Sequence, residues 1–200
     1  MVRQNLLILV FINTPLMFYL STIATPLLVF LYSEKWLGSV PYFQFLCLGF
    51  GLLLIIHDCS LTALKSVGRT DYVLKLEIIK KILGVFLLVS GMIFWGIWGI
   101  MYGLAINSFL ELFLNGYCLK MEINYGPIDQ IKDLLPSIIL SLFASLATYM
   151  FLIYVSIASN LIIILISSFI FSSIYLLGAF LAKMESFYLA KKVITGMMKK

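Results

Sequence analysis

From Leu134 to Ala182 the chain runs for 49 residues without a charged side chain. A helix needs about 20 apolar residues to cross the ~30 Å hydrocarbon core of a bilayer. So long a stretch is too much for one crossing and too apolar for an aqueous surface, so it must cross, turn and return. The turn is best placed at Ser156 to Asn160. A second long stretch, Ile82 to Leu119, is broken only by Glu111; its 38 residues would make about 57 Å of helix. It too must fold back once, and Gly96-Ile97-Trp98-Gly99 is the natural hairpin. Composition agrees: 62% of the 200 residues are hydrophobic, 12% are charged and the mean hydropathy is +1.09. A soluble globule is about half apolar and a quarter charged. A soluble domain, a disordered chain and a nucleic-acid binder are therefore excluded, the last because the basic residues sit in short runs between long apolar ones.

The expected fold is all-α: a polytopic membrane protein with six spans. They run over about 6–31, 41–64, 78–95, 99–119, 135–156 and 160–182, so that 1–183 forms one transmembrane lobe. A basic amphipathic tail, 184–200, follows. Pro15 and Pro26 predict kinks in the first span, tolerable where neighbours re-satisfy the freed carbonyls. Arg3 and the apolar run behind it mimic a signal peptide. The run is too long for that, and no small-residue cleavage site precedes Glu34. Cys47, Cys59 and Cys118 fit no metal or redox spacing and read as reduced packing residues.

Three linking segments look amphipathic. Asp71 is placed to cap a helix with Lys75, Glu77, Lys80 and Lys81 on its wet side. Pro127 to Leu135 sets Ile128, Ile131 and Leu135 against Asp129, Lys132 and Asp133. Glu185 to Lys200 mixes Phe187, Ile194 and Met197 with four lysines. Each could lie at headgroup level or simply be a helix end emerging into water. On the six-span scheme 13 Lys and Arg residues fall on the side of the two termini, and Lys35 alone falls on the other. The positive-inside rule then puts both termini in the cytoplasm.

Polar residues inside the spans are the candidate site. A charge at a helix centre costs about 2.5–3.5 kcal/mol on insertion scales, so neither Asp58 nor Glu111 should face lipid. Asp58, beside His57, lies toward the cytoplasmic end of its span, where it can snorkel to the interface. The pair is not of metal type, since neighbours on a helix point about 100° apart and the chain has one histidine. Asn107, Glu111 and Asn115 repeat at i, i+4 and i+8, with Gly103 one turn earlier, and form one polar stripe. Such a stripe is either interhelical glue or the lining of a cavity that takes a cation, a proton or a sugar hydroxyl. Ser137, Ser141, Ser145 and Thr148, and separately Ser168 and Ser172, read as small-residue contact faces. There is no nucleophile–base pair, metal cluster or phosphate-cradling glycine loop in the pattern, so a non-enzymatic protein without a cofactor is expected.

Leu31-Tyr32-Ser33-Glu34-Lys35-Trp36-Leu37-Gly38-Ser39-Val40-Pro41-Tyr42, then Gly68-Arg69-Thr70-Asp71 with Leu74-Lys75-Leu76-Glu77, then Gly96-Ile97-Trp98-Gly99, then Asp133-Leu134-Leu135-Pro136-Ser137 form an ordered set. The set resembles the Wzx-type polysaccharide and O-antigen flippases, of one superfamily with the MATE exporters, and it matches their C-terminal portion. The resemblance implies transport of a lipid-linked oligosaccharide, carried on a polyprenyl pyrophosphate, across the bacterial inner membrane for surface polysaccharide (lipopolysaccharide) synthesis. It implies two lobes around a central cavity. This chain would then be a fragment, needing an N-terminal lobe or a second copy, with membrane lipid and the oligosaccharide as its other partners. Glu111, Asn107 and Asn115 would face the cavity, with Asp58 and His57 as further binding or ion-coupling candidates. The family tends to hold the pyrophosphate with cationic cavity residues. No Lys or Arg is expected mid-span here, which would leave that site to the absent half. The rival reading is a small, non-transporting partner or assembly subunit of the envelope polysaccharide machinery.

The charge asymmetry makes a direct prediction. Reporter fusions at Gly68, Gly126 and the C-terminus should read cytoplasmic, and fusions at Gly38, Trp98 and Ser159 external. One loop on the wrong side would break the six-span scheme.

Overall fold

The computed structural model describes residues 2–66, 68, 70–154 and 159–197. The described residues are helical throughout, without a strand. α1 (Val2–Thr22) and α2 (Ala24–Tyr32) are followed by a 3₁₀ turn (Glu34–Ser39), α3 (Val40–Phe45), a π turn (Leu46–Gly51) and α4 (Leu52–Ser66). Then come α5 (Thr70–Ile123), α6 (Pro127–Tyr154), α7 (Asn160–Leu181) and α8 (Glu185–Met197). Five helical stretches among these residues are long and apolar enough to cross a membrane: Val2–Thr22, Glu34–Ser66, Val73–Ile123, Pro127–Tyr154 and Asn160–Leu181. Large apolar side chains stand uncovered along them, as at Ile93 (74% exposed) and Phe169 (75%). This is the architecture of a membrane-embedded protein.

The third stretch counts as one helix although it is 51 residues long. Its backbone leaves helical geometry at Gly96 (φ 59°, ψ −134°), a conformation open essentially to glycine alone. The arms 70–95 and 97–123 then return along one another. A Cβ added to Gly91 would overlap the Gly99 carbonyl, and one added to Gly99 would overlap that of Gly91. A Cβ on Gly103 would stand 3.0 Å from the Leu87 carbonyl, and one on Gly84 3.3 Å from Asn107 Oδ1. The partners fall in number on one arm as they rise on the other, so the arms are antiparallel. The turn lies inside the expected hairpin motif, at its first residue.

The first stretch passes through Pro15 unbroken and is interrupted at Ile23, not at a proline. Pro26 explains the place. It has no N–H to give the carbonyl of Thr22, four residues back, and its ring crowds that carbonyl. The turn expected at Ser156–Asn160 lies mostly outside the described residues, as do the Asp71 side chain with its proposed cap and the side chains of Ile194 and Met197 in the tail. The first two linking segments are continuous ends of α5 and α6, and only the tail is a separate helix.

Two compact units divide the chain. One is Gly49–Asp133 with the first turn of α1; the other is Leu7–Leu48 with the chain from Leu134 onward. In the first, Ala63 and Leu64 of α4 meet Val73 and Leu119 from the two arms of α5. Arg3 grips Asp133 through Nε at 2.9 Å and a second guanidinium nitrogen at 3.0 Å. Tyr125 donates to the same carboxylate at 2.7 Å. Burial and then that carboxylate hold the Tyr125 phenol well above its ordinary range, so it keeps its proton for the bond.

In the second unit hydroxyls join the helices. Tyr19 donates to the Ile164 carbonyl at 2.8 Å, Thr22 and Ser145 share a 2.6 Å bond, and Tyr175 donates to the Phe11 carbonyl at 3.0 Å. Ser137, Ser141 and Thr148 are buried as a stripe on α6. The expected stripe on α7 is displaced by one residue. Ser168 and Ser172 are exposed, and the buried face is Ser167, Phe171, Tyr175 and Ala179. The aromatic rings take the contact, and Ser172 satisfies itself on the Ser168 carbonyl at 2.5 Å. α8 is docked by Phe187, whose ring meets Phe11 and Phe180 edge-on. The cysteines are all free.

The hairpin contact makes a prediction. Gly91→Ala and Gly99→Ala each force two backbones apart and should cost about 1–3 kcal/mol, as overpacking does. Gly38→Ala, where nothing lies within 4 Å, should cost almost nothing. Thermal unfolding of the purified protein in one detergent compares the three.

Candidate functional site

The close return of the α5 arms fixes what faces what at the end of the hairpin opposite Gly96. Lys80 and Glu111 lie 16 and 15 residues from that glycine, about 24 and 22 Å along their arms. α4 lies against the same hairpin and brings His57 to both.

Lys80 is the centre. The amphipathic pattern places it on a wet face; the structure leaves it 2% exposed. Its Nζ meets three polar atoms. One is Glu77 Oε1, one turn back on the same arm. The others are Asn115 Oδ1 at 3.3 Å and His57 Nε2 at 3.1 Å. A buried ammonium is tolerable only when paired and hydrogen-bonded in this way. The sequence could not show it, because Lys80 and Lys81 look alike on a helix end. The second arm decides which is covered, and Lys81 stays exposed.

The polar stripe is the other wall. Asn115 is fully buried, and its Nδ2 meets no acceptor among the described residues. Asn107 Nδ2 donates to Glu111 Oε1 at 3.0 Å. The other oxygen of Glu111, Oε2, lies 3.4 Å from His57 Nε2. Gly103 packs on the Leu87 carbonyl of the opposite arm, 3.0 Å from where a Cβ would stand. Phe109 and Phe113 point away and are exposed. Each stripe residue therefore meets the first arm or α4.

His57 and Asp58, neighbours in sequence, are joined by an Nδ1···Oδ1 bond of 3.1 Å. The Asp58 side chain is 65% exposed. It stands eight residues from the end of α4, about 12 Å, and the imidazole is its partner. Two residues farther on, Ser60 donates to Gln130 Oε1 at 3.2 Å. The buried Gln130 Nε2 is left without an acceptor among the described residues.

Five sequence candidates thus come together: His57, Asp58, Asn107, Glu111 and Asn115. The structure adds Lys80 and Glu77. Among the described residues no group of three His, Cys, Asp or Glu side chains could hold a metal ion. What the arrangement can do is hold charge among closely apposed apolar helices and pass a proton among a carboxylate, an imidazole and an ammonium. No protein-family model, curated protein or solved structure matches this chain.

Removing one partner of a buried ion pair costs about 3–5 kcal/mol. Glu77, partly exposed, recovers some of that by solvation. Lys80→Ala should therefore lower stability by about 3 kcal/mol. Lys81→Ala, one residue along and exposed, should change it by less than about 0.5 kcal/mol. Denaturant unfolding of both variants reads the difference, and equal losses would place Lys80 outside the buried cluster.

Proposed function

We propose that this chain is the C-terminal part of a Wzx-type flippase, carrying a lipid-linked oligosaccharide across the bacterial inner membrane. The observation that carries the reading is the His57–Lys80–Glu77–Glu111 cluster within membrane-length helices. Ionisable side chains in such segments mark substrate and ion pathways, and a purely architectural helix bundle has no need of them. The ordered motifs from Leu31 to Ser137 supply the substrate class. The arms of α5 are each long enough to cross, since 26 residues make about 39 Å of helix. With α5 crossing twice the chain crosses six times and both termini are cytoplasmic, which is the parity of one lobe in a parallel repeat.

On this reading the chain binds and couples and does no covalent chemistry. It works by rocking against a second lobe, and the cluster is the ion-coupling or sugar-binding element. Lys80 supplies a cation that the sequence pattern assigns to the aqueous side.

The test is rescue of surface polysaccharide in a flippase-null strain. The chain alone should fail, and the chain co-expressed with an N-terminal lobe should restore it. Rescue by a chain shown to be monomeric in the membrane overturns the fragment reading. Failure of the co-expressed lobes, both present and inserted, overturns the flippase reading and leaves the partner-subunit role.

A further inference from the structure

The imidazole of His57 stands between two groups that ask opposite things of one atom. Nε2 lies 3.1 Å from Lys80 Nζ and 3.4 Å from Glu111 Oε2. An ammonium has only protons to give, so it needs the Nε2 lone pair. A carboxylate has only lone pairs, so it needs a proton on Nε2. One nitrogen cannot serve both. The other nitrogen is not in dispute, because Nδ1 lies 3.1 Å from Asp58 Oδ1 and can keep its proton throughout.

We propose that His57 is a proton-binding site between α4 and α5, and that proton uptake transfers the ring from Lys80 to Glu111. In the neutral ring Nδ1–H donates to Asp58, and Nε2 accepts from Lys80. When a proton from water adds to the Nε2 lone pair, the imidazolium donates to Asp58 and to Glu111 Oε2. The Lys80 proton loses its acceptor, and the ammonium is left with Glu77 and Asn115. No bond other than N–H forms, and the added proton is the whole of the charge change.

The groups around the ring come from three segments. Asp58 stands beside it on α4 itself, Glu77 and Lys80 on the first arm of α5, and Glu111 on the second arm. The Asp58 side chain itself is 65% exposed. The transfer also has a structural consequence. Lys80 ties α4 to both arms of α5 while the ring is neutral. Once the ring is charged the tie passes to Glu111 and involves the second arm alone. The inference needs no assumption about what is transported.

His57 is the single histidine of the chain, so the 200-residue chain, labelled with ¹⁵N-histidine and carrying a histidine-free tag, gives one ring in the nuclear magnetic resonance spectrum. In lipid nanodiscs the neutral ring should carry its proton on Nδ1 and convert to imidazolium with one midpoint on acidification. A charge at this range moves a midpoint by about one pH unit or more. Glu111→Gln should lower it by that much and Lys80→Gln should raise it. A neutral ring protonated on Nε2, or a midpoint indifferent to both substitutions, overturns the proposal. The wild-type tautomer and Glu111→Gln decide the matter even where Lys80→Gln does not fold. A negative result here leaves the rescue experiment untouched, and failed rescue leaves the titration untouched.

Discussion

Two helices joined by one glycine can return along each other only if nothing stands between their backbones. In α5 that condition is met at Gly91 against Gly99 and at Gly103 against Leu87, and farther along Gly84 leaves room for the Asn107 side chain. The spacing is what matters, because each of these pairs sets the next. Once the turn is closed at Gly91 and Gly99, the register is fixed for the rest of both arms. Lys80 and Asn115 then stand opposite at the far end. A bulkier residue near the turn would not only strain the turn. It would splay the arms at the end where the charged residues meet, since a rigid helix carries a small angle into a large displacement over about 24 Å.

That far end holds a lysine, and its stability does not explain its presence. Replacing a buried ion pair by apolar residues of similar volume is often neutral or stabilising, whereas deleting one partner is costly. A chain whose spans are otherwise Leu, Ile and Phe had apolar alternatives at position 80. The amine instead meets three polar partners from three places: Glu77 on its own arm, Asn115 on the other and His57 on α4. Coordination of that kind fixes geometry as well as charge. It ties three helical segments through one atom, and any change in the protonation of a partner is felt by all three.

Much of this is legible in the sequence, for identifiable reasons. The hairpin at Gly96 is readable because 38 residues between charged ends exceed one crossing. The stripe of Asn107, Glu111 and Asn115 is readable because polar residues at i, i+4 and i+8 share a face in any helix. What the stripe faces is not readable, since periodicity gives a direction relative to the helix and says nothing of the neighbour. Lys80 is misplaced for the same reason. Amphipathic patterning assigns charge to water by default, and only the return of the second arm reverses it. Ser168 and Ser172 mislead differently. Small residues mark a contact only where nothing larger competes for it. Here Phe171 and Tyr175 of the adjacent face fill it with rings, and Ser172 satisfies itself on its own helix. The break at Ile23 lies just before Pro26 because a proline disturbs the carbonyl behind it, not its own position.

The two units solve the same problem with different chemistry. In the unit of Leu7–Leu48 and the chain from Leu134, the long apolar segments contain no charged residue. Helices there are joined by hydroxyls that donate to backbone carbonyls or to another hydroxyl. Such bonds are neutral and insensitive to pH in the physiological range. In the unit of Gly49–Asp133 the joints are Lys80, His57, Glu77 and Glu111. The cluster of ionisable side chains that joins α4 to α5 therefore belongs to one unit. That division follows from where the chain places its ionisable side chains.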